Sequence, residues 1–238
     1  MGKYKLLDLY CGEGGAGFGY HLAGFQVTGV DINQMDNYPF DFIKADAIAI
    51  LNDIEFCRQY DVIHASPVCK RYSVMTKCAG TQDEHPDDID TIRNLLQRIG
   101  KPYIIENVPG SPLKDYVMLC GTMFGLNIVR HRNFECSPAI YFPPMLCNHS
   151  KKVVKHGRKP DRQRNYAAVT GNFSDVAFAK ESMQINWMRR DGLSQAIPPK
   201  YTEWIGLEMI KFLEKKGRKH IAGRRIAKNV GRSNLRRQ

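Results

Sequence analysis

From Asp8 to Gly15 the chain reads Asp-Leu-Tyr-Cys-Gly-Glu-Gly-Gly, the end of an apolar run followed by a glycine cluster. Glycines at the end of a strand let the backbone turn tightly into a helix and let a ligand approach the main chain closely. The next apolar run, Phe25 to Asp31, ends on an acid, and a carboxylate there can accept hydrogen bonds from two ribose hydroxyls. A third acid, Asp46 in Lys44-Ala45-Asp46-Ala47, can accept from an adenine amino group. A strand-to-helix turn with no ligand would carry the same glycines, and dinucleotide enzymes share the logic, so this edge alone does not choose a reaction. The chain has no GxxxxGK[ST] phosphate loop and gives no support for an ATPase.

Four further groups come in order: Ala65-Ser66-Pro67-Val68-Cys69-Lys70-Arg71-Tyr72-Ser73, Glu106-Asn107-Val108, Arg130-His131-Arg132 and Ser194-Gln195-Ala196-Ile197-Pro198-Pro199. Taken singly, a cysteine is more often a small core residue, an acid a cap or salt-bridge partner, and an arginine pair a solvated face. As an ordered set with the glycine segment, they resemble the motifs of the cytosine-5 DNA methyltransferases, in a short, phage- or prokaryote-like member. The resemblance is good over residues 5–135 and looser over 166–210.

That resemblance implies an α/β, Rossmann-like S-adenosylmethionine-dependent methyltransferase fold, a mostly parallel sheet with helices on both faces. S-adenosyl-L-methionine would be held by Asp8, Tyr10, Gly12, Gly14, Gly15, Asp31, Ile32, Asp46, Pro67, Gln195 and Ala196, with the last motif packing back on the cofactor side. Cys69, Glu106, Arg130 and Arg132 would be catalytic. A thiolate is strongly nucleophilic and can also leave, so Cys69 would add to C6 of cytosine and make C5 reactive toward the methyl group. Glu106 would share a proton with N3, Arg132 would hold O2, and Arg130 would fix the catalytic loop or a phosphate. In duplex DNA the target base must first be flipped out of the stack. The chain departs from the family's Pro-Cys-Gln loop, which here is Val68-Cys69-Lys70; the Lys70 cation can lower the thiol pKa or touch a phosphate.

The elements that must position these residues alternate. Strand signals at 5–10, 25–31, 61–65 and 102–106 are interleaved with helix signals at 14–23, 48–59 and 87–99, and a short segment at 41–45 is ambiguous. Residues 1–135 therefore read as the cofactor-binding and catalytic core, and 166–210 as its return, with helices near 176–183 and 201–215. The pattern lapses over 136–165, a reduced target-recognition insertion with room to read few bases. Arg158, Lys159, Arg162 and Arg164 are its phosphate-contact candidates, alongside Lys70, Arg71 and Ser73 near the nucleophile. Cys136, Cys147, His149 and His156 lie in this stretch without a CxxC or HxxxH pair, so no metal is expected.

With 43% hydrophobic and 25% charged residues in 238, the composition is that of a globular chain. No apolar run is long enough to span a bilayer, and the N-terminus reads as a strand rather than a signal peptide, so the expected location is the cytoplasm, with no membrane and no obligate protein partner. Seven scattered cysteines fit free thiols in a reducing compartment. The net charge of +11 is concentrated: residues 211–238 hold 11 Lys/Arg, among them Arg224 and Arg225, against one acid. Such a basic tail attracts phosphate backbones without reading sequence. DNA is the expected partner. The alternatives are cytosine in RNA, a pyrimidine nucleotide, a catalytically inactive nucleic-acid-binding relative, and a Rossmann oxidoreductase; the last leaves Cys69, Glu106 and the arginines without a role. Truncation after Lys211 should weaken nucleic-acid binding and flatten its dependence on salt; a salt titration of the Kd that keeps its slope would remove the tail from the interface.

Overall fold

The computed structural model describes residues 2–68, 72, 88–140, 145–154, 158, 160–171 and 173–234, by backbone alone from 219 onward. Its centre is a seven-stranded sheet ordered β3-β2-β1-β4-β5-β7-β6. The strands are β1 (Tyr4–Leu9), β2 (Phe25–Asp31), β3 (Asp41–Lys44), β4 (Val62–Ala65), β5 (Tyr103–Asn107), β6 (Tyr116–Leu119) and β7 (Arg132–Ser137). The first five run parallel, and β7 is antiparallel to both β5 and β6.

Parallel strands covered on both faces need apolar side chains in both directions. In β1, Leu6 joins one core while Leu7 and Leu9 join the other, as a side-chain period of two requires. One face is covered by α1 (Gly15–Ala23) and the long α7 (Pro199–Asn234), the other by α2 (Ala47–Asn52), α3 (Ile54–Arg58) and α4 (Ile89–Ile99). On α4, Ile89, Ile92, Leu96 and Ile99 are buried along one helical stripe. The α1–α7 contact is close: a Cβ on Gly19 would lie 2.1 Å from Pro199 O and Thr202 Oγ1, and the Thr202 hydroxyl donates to Ala16 O at 2.8 Å.

The helical pattern of 48–59 resolves into two helices. Asp53 interrupts it by donating its N–H to Ile50 O while its side chain caps the next helix at Phe56 N. The basic segment continues α7 rather than standing apart from it, and Leu213 still packs on the core. A truncation that spares this packing therefore falls after Lys216. The insertion begins later than residue 136, since β7 runs to Ser137 and Cys136 is buried in it. Two short strands, β8 (Lys152–Val153) and β9 (Asn165–Tyr166), pair beyond it, and α5 (Val176–Met183) and α6 (Arg190–Gln195) come next.

Strand β7 is pinned from the helical layer. Arg93 of α4, 2% exposed, grips Glu135 with two hydrogen bonds of 2.7 Å and donates to Pro112 O at 2.9 Å. Lys114 N also donates to Glu135, and Asp90 pairs with Arg93 from the preceding turn. Removing one partner of such a pair leaves a buried charge without compensation. Glu135→Ala should lower the unfolding free energy by about 3–5 kcal/mol in urea titration. Replacing both ends together, Arg93→Met with Glu135→Leu, should restore most of that loss.

Candidate active site

Strands β1, β4 and β5 are neighbours, with Leu9 level with Ala65 and Ile63–Ala65 level with Tyr103–Ile105. Their carboxyl ends therefore bring three sequence motifs to one edge of the sheet, where ligands of open α/β sheets bind.

At the end of β1 the chain turns into α1 through three left-handed residues, Tyr10 (φ 57°), Gly12 (φ 50°) and Gly14 (φ 88°). Glycine takes this conformation freely, while Tyr10 is strained on the order of 1 kcal/mol. The loop is latched to β2 by Cys11 N to Val30 O at 3.1 Å and Gly12 N to Asp31 Oδ2 at 3.1 Å. A Cβ on Gly12 would meet nothing within 4 Å, so the loop's backbone is open there. A Cβ on Gly15 would strike Ile197 O at 2.6 Å, which places the Gln195–Ala196 segment against the same loop. Asp31 also accepts from Asn33 N at 3.0 Å, and Ile32 beside it is 66% exposed. Asp46 caps α2 through Ile48 N at 2.9 Å, which commits one of its two carboxylate oxygens.

Asp8 lies beneath this loop, fully buried. Burial raises its pKa to about 7, against the lowering effect of the Tyr38 hydroxyl, which donates to Oδ2 at 3.3 Å. Asp8 Oδ1 has no hydrogen-bond partner among the described residues. An open backbone turn, an orphaned buried carboxylate oxygen and an exposed apolar side chain together suit a nucleoside-bearing cofactor with a polar tail.

Beyond β4 the backbone is held from β5: Asn107 Nδ2 donates to Pro67 O at 3.1 Å. Glu106 is buried, and Arg132 Nε lies 3.0 Å from its Oε1. Desolvation raises the Glu106 pKa; Arg132, Arg130 and the Ser66 hydroxyl oppose that shift. Ser66 Oγ is in turn 2.7 Å from His64 Nε2, and His64 Nδ1 is 2.9 Å from the Tyr20 hydroxyl. Burial lowers the His64 pKa to about 3, so the ring is neutral. In the tautomer with the imidazole proton on Nε2, Tyr20 donates to Nδ1 and Ser66 accepts from His64 while donating to Glu106.

Arg130 is held by the backbone of the returning chain. It is 4% exposed, and its guanidinium donates to Val169 O at 2.7 Å and Ser194 O at 2.8 Å, while its own carbonyl accepts from the Tyr201 hydroxyl at 2.6 Å. It braces the return of the chain. In the insertion, Arg162 pairs with Glu181 at 2.8 Å and lies over the Phe178 ring, so part of its charge is spent internally. Arg158 and Arg164 are exposed, Arg164 with Asp161 at 3.7 Å. Cys69, Lys70, Arg71, Ser73 and Lys159 lie outside the described residues, and Arg224 and Arg225 belong to the backbone-only part of α7.

Sequence reasoning missed Tyr38 and the Tyr20–His64–Ser66 chain. A histidine inside the apolar strand Val62–Ala65 was the available signal for the second, since a buried imidazole needs partners. Tyr38 comes directly after a polar turn, Asn33-Gln34-Met35-Asp36-Asn37, that carries no periodicity.

No protein-family model and no curated protein matches the sequence. Solved structures do. A candidate DNA modification methyltransferase encoded within a prophage of E. coli superposes with a TM-score of 0.57 at 14% identity, over 89% of this chain and 100% of that one. The Entamoeba histolytica methyltransferase EhMeth superposes with a TM-score of 0.55 at 13% identity, over 90% of this chain and 99% of that one. Both likenesses run almost the full length, and with the strand order above they establish a Rossmann-like α/β fold shared with those two structures.

Proposed function

We propose that this protein transfers a methyl group from S-adenosylmethionine to C5 of cytosine in DNA. The observation that carries the reading is the buried Glu106–Arg132 pair, set on the same sheet edge as the open glycine loop and beside the loop that leads to Cys69. The solved structures of similar fold, one described as a candidate DNA modification enzyme, support the same class.

S-adenosylmethionine supplies an electrophilic methyl group on a sulfonium. For its binding, Gly12 leaves the main chain open while Gly14 packs on Pro39 and Tyr38 to shape the turn; Asp31 would receive the ribose hydroxyls, Ile32 would cover the adenine, and Asp46 would offer its uncommitted oxygen to the adenine amino group. Tyr10, Gly15, Pro67, Gln195 and Ala196 form the walls, with Asp8 beneath.

The Cys69 thiolate adds to C6 of the flipped base, forming a C–S bond and sending electron density to N3. Glu106, with its pKa raised by burial, delivers a proton toward N3 as that charge develops. Arg132 binds O2 while holding Glu106 in place. C5 would then take the methyl group as its S–CH3 bond breaks and the thioether S-adenosylhomocysteine leaves; the N3 proton returns to Glu106, a base or water removes the C5 proton, and expulsion of the Cys69 thiolate restores the aromatic ring. Arg130 is a positioning residue, holding Ser194 and Val169 behind the site. Val68, 49% exposed, stands where the family has proline and leaves the backbone before the nucleophile freer. Arg158, Arg164 and the basic end of α7 supply phosphate contacts.

Labelled S-adenosylmethionine offered in parallel to duplex DNA, single-stranded DNA and RNA, with mass spectrometry of the digested nucleosides, tests the reaction. 5-Methylcytosine should form in DNA; product in RNA alone, or at another base, would replace this reading. Cys69→Ser should keep cofactor affinity and lose product. Glu106→Gln should slow methyl transfer roughly 10²–10⁴-fold, with full activity in either variant counting against the covalent mechanism.

A further inference from the structure

A second cluster of reactive side chains lies on the far side of the arginine motif. Cys120 closes β6, His131 sits between Arg130 and Arg132, and His149 comes from the insertion. One ligand atom of each lies within 4.8 Å of the other two, with Cys120 Sγ 3.4 Å from His149 Nε2. Cys147 Sγ, 3.9 Å from His131 Nε2, lies beside this group but outside the 4.8 Å that joins the other three. This is not the set that the sequence brought into question. Cys136 is in the core within β7, and His156 lies outside the described residues.

We propose that Cys120, His131, Cys147 and His149 bind one zinc ion. Zinc takes thiolate sulfur at about 2.3 Å and imidazole nitrogen at about 2.0–2.1 Å in a tetrahedron, which sets ligand atoms roughly 3.3–3.8 Å apart. The Cys120–His149 separation of 3.4 Å matches that spacing, the three-residue group contracts from within 4.8 Å, and Cys147 swings in from its contact with His131 as the fourth ligand. A mixed S₂N₂ donor set selects zinc over hard cations, and four protein ligands close the coordination sphere, as in structural rather than catalytic centres. The surroundings fit a thiolate at Cys120: the Thr122 hydroxyl donates to its sulfur at 3.4 Å and accepts from Asn148 N at 3.2 Å. Ligand-supporting hydrogen bonds of this kind orient metal ligands. On binding, the two thiols release their protons to solvent, and the two thiolates offset the ion's charge.

The ion would tie three separate stretches together: the end of β6, the arginine motif, and the insertion. Met145 and Leu146, just before Cys147, are 62% and 83% exposed, so this part of the insertion has little apolar core of its own. A metal cross-link is a usual substitute where a core is too small.

Metal content reads this without substrate or methyl donor, so its outcome is independent of the methyl-transfer reading. The full chain is purified under reductant, without chelator, from zinc-supplemented cells, and metal is measured by plasma mass spectrometry. One zinc per chain is expected in the wild type. His149→Ala and Cys147→Ser, both outside the buried core, should fold as judged by circular dichroism and lose most of the zinc. Cobalt(II) exchanged into the wild type should give tetrahedral d–d bands with sulfur-to-metal charge transfer, the latter weakened in Cys147→Ser. A wild type that neither carries zinc nor takes it up on titration overturns the proposal, and so do folded variants that keep a full equivalent.

Discussion

A carboxyl group held inside a protein must find compensation for its lost hydration, and Glu106 is such a group. Its compensation comes from two directions. Arg132 reaches it from β7, and Ser66 reaches it from β4 with a neutral histidine and a tyrosine behind it. Neither direction is available unless the sheet closes with an antiparallel β7 beside β5. That places Asn107 level with Asn133 and leaves Arg132 one step beyond, at the exposed edge. The reversed strand is therefore the condition under which an acid can be buried at this edge. Arg93 and Glu135, at the opposite end of β7, hold that strand to the helical layer.

The same edge depends on a second closure, between the chain's beginning and its end. Gly15 and Gly19 of α1 leave room for Ile197 and Pro199, and Thr202 fastens the contact. Arg130 reinforces it from the sheet side by donating to Ser194 O, with Tyr201 of α7 donating to the Arg130 carbonyl. The glycine loop thus leans on a segment about 180 residues later, and its left-handed residues are held by tertiary packing rather than by local preference. A loop fixed from both sides enters ligand binding with little conformational entropy left to lose.

Four of the five parallel strands were legible because they are apolar in both directions; β3, at the sheet edge and little buried, is the segment whose sequence was ambiguous. Each strand from β1 to β5 ends where glycine, acid or proline breaks the run. The ordered motifs marked the carboxyl edge for the same reason. The antiparallel half was not legible. In β7 (Arg132–Ser137), Arg132 and Glu135 read as surface until their partners appear, and Glu135's partner Arg93 is 42 residues away on a helix. The Cys120–His131–Cys147–His149 cluster was hidden in the same way. Only Cys147 and His149 are close in sequence, one residue apart, and the spacings between the rest match no metal-binding rhythm. The burial of Arg130 and its backbone partners depend on a return of the chain that no local pattern announces.

The irregular stretch beyond β7 has little core of its own, and among the described residues several of its polar attachments reach one short region. Asn148 N meets Thr122, Lys151 meets Asn127, and Asn127 Nδ2 donates to Arg162 O. The hydroxyl of Tyr166 donates to Asn148 O, and Ala167 N donates to Asn127 O. Residues 120–131 therefore carry the insertion on one side and lead directly into Arg132 on the other. Hydrogen bonds at a solvated surface are each worth about 1 kcal/mol, so such a segment is positioned only as firmly as the sum of its attachments. A rigid cross-link at Cys120 and His131 would act where that sum is needed most, because any tilt of the insertion is transmitted to the arginine that holds Glu106.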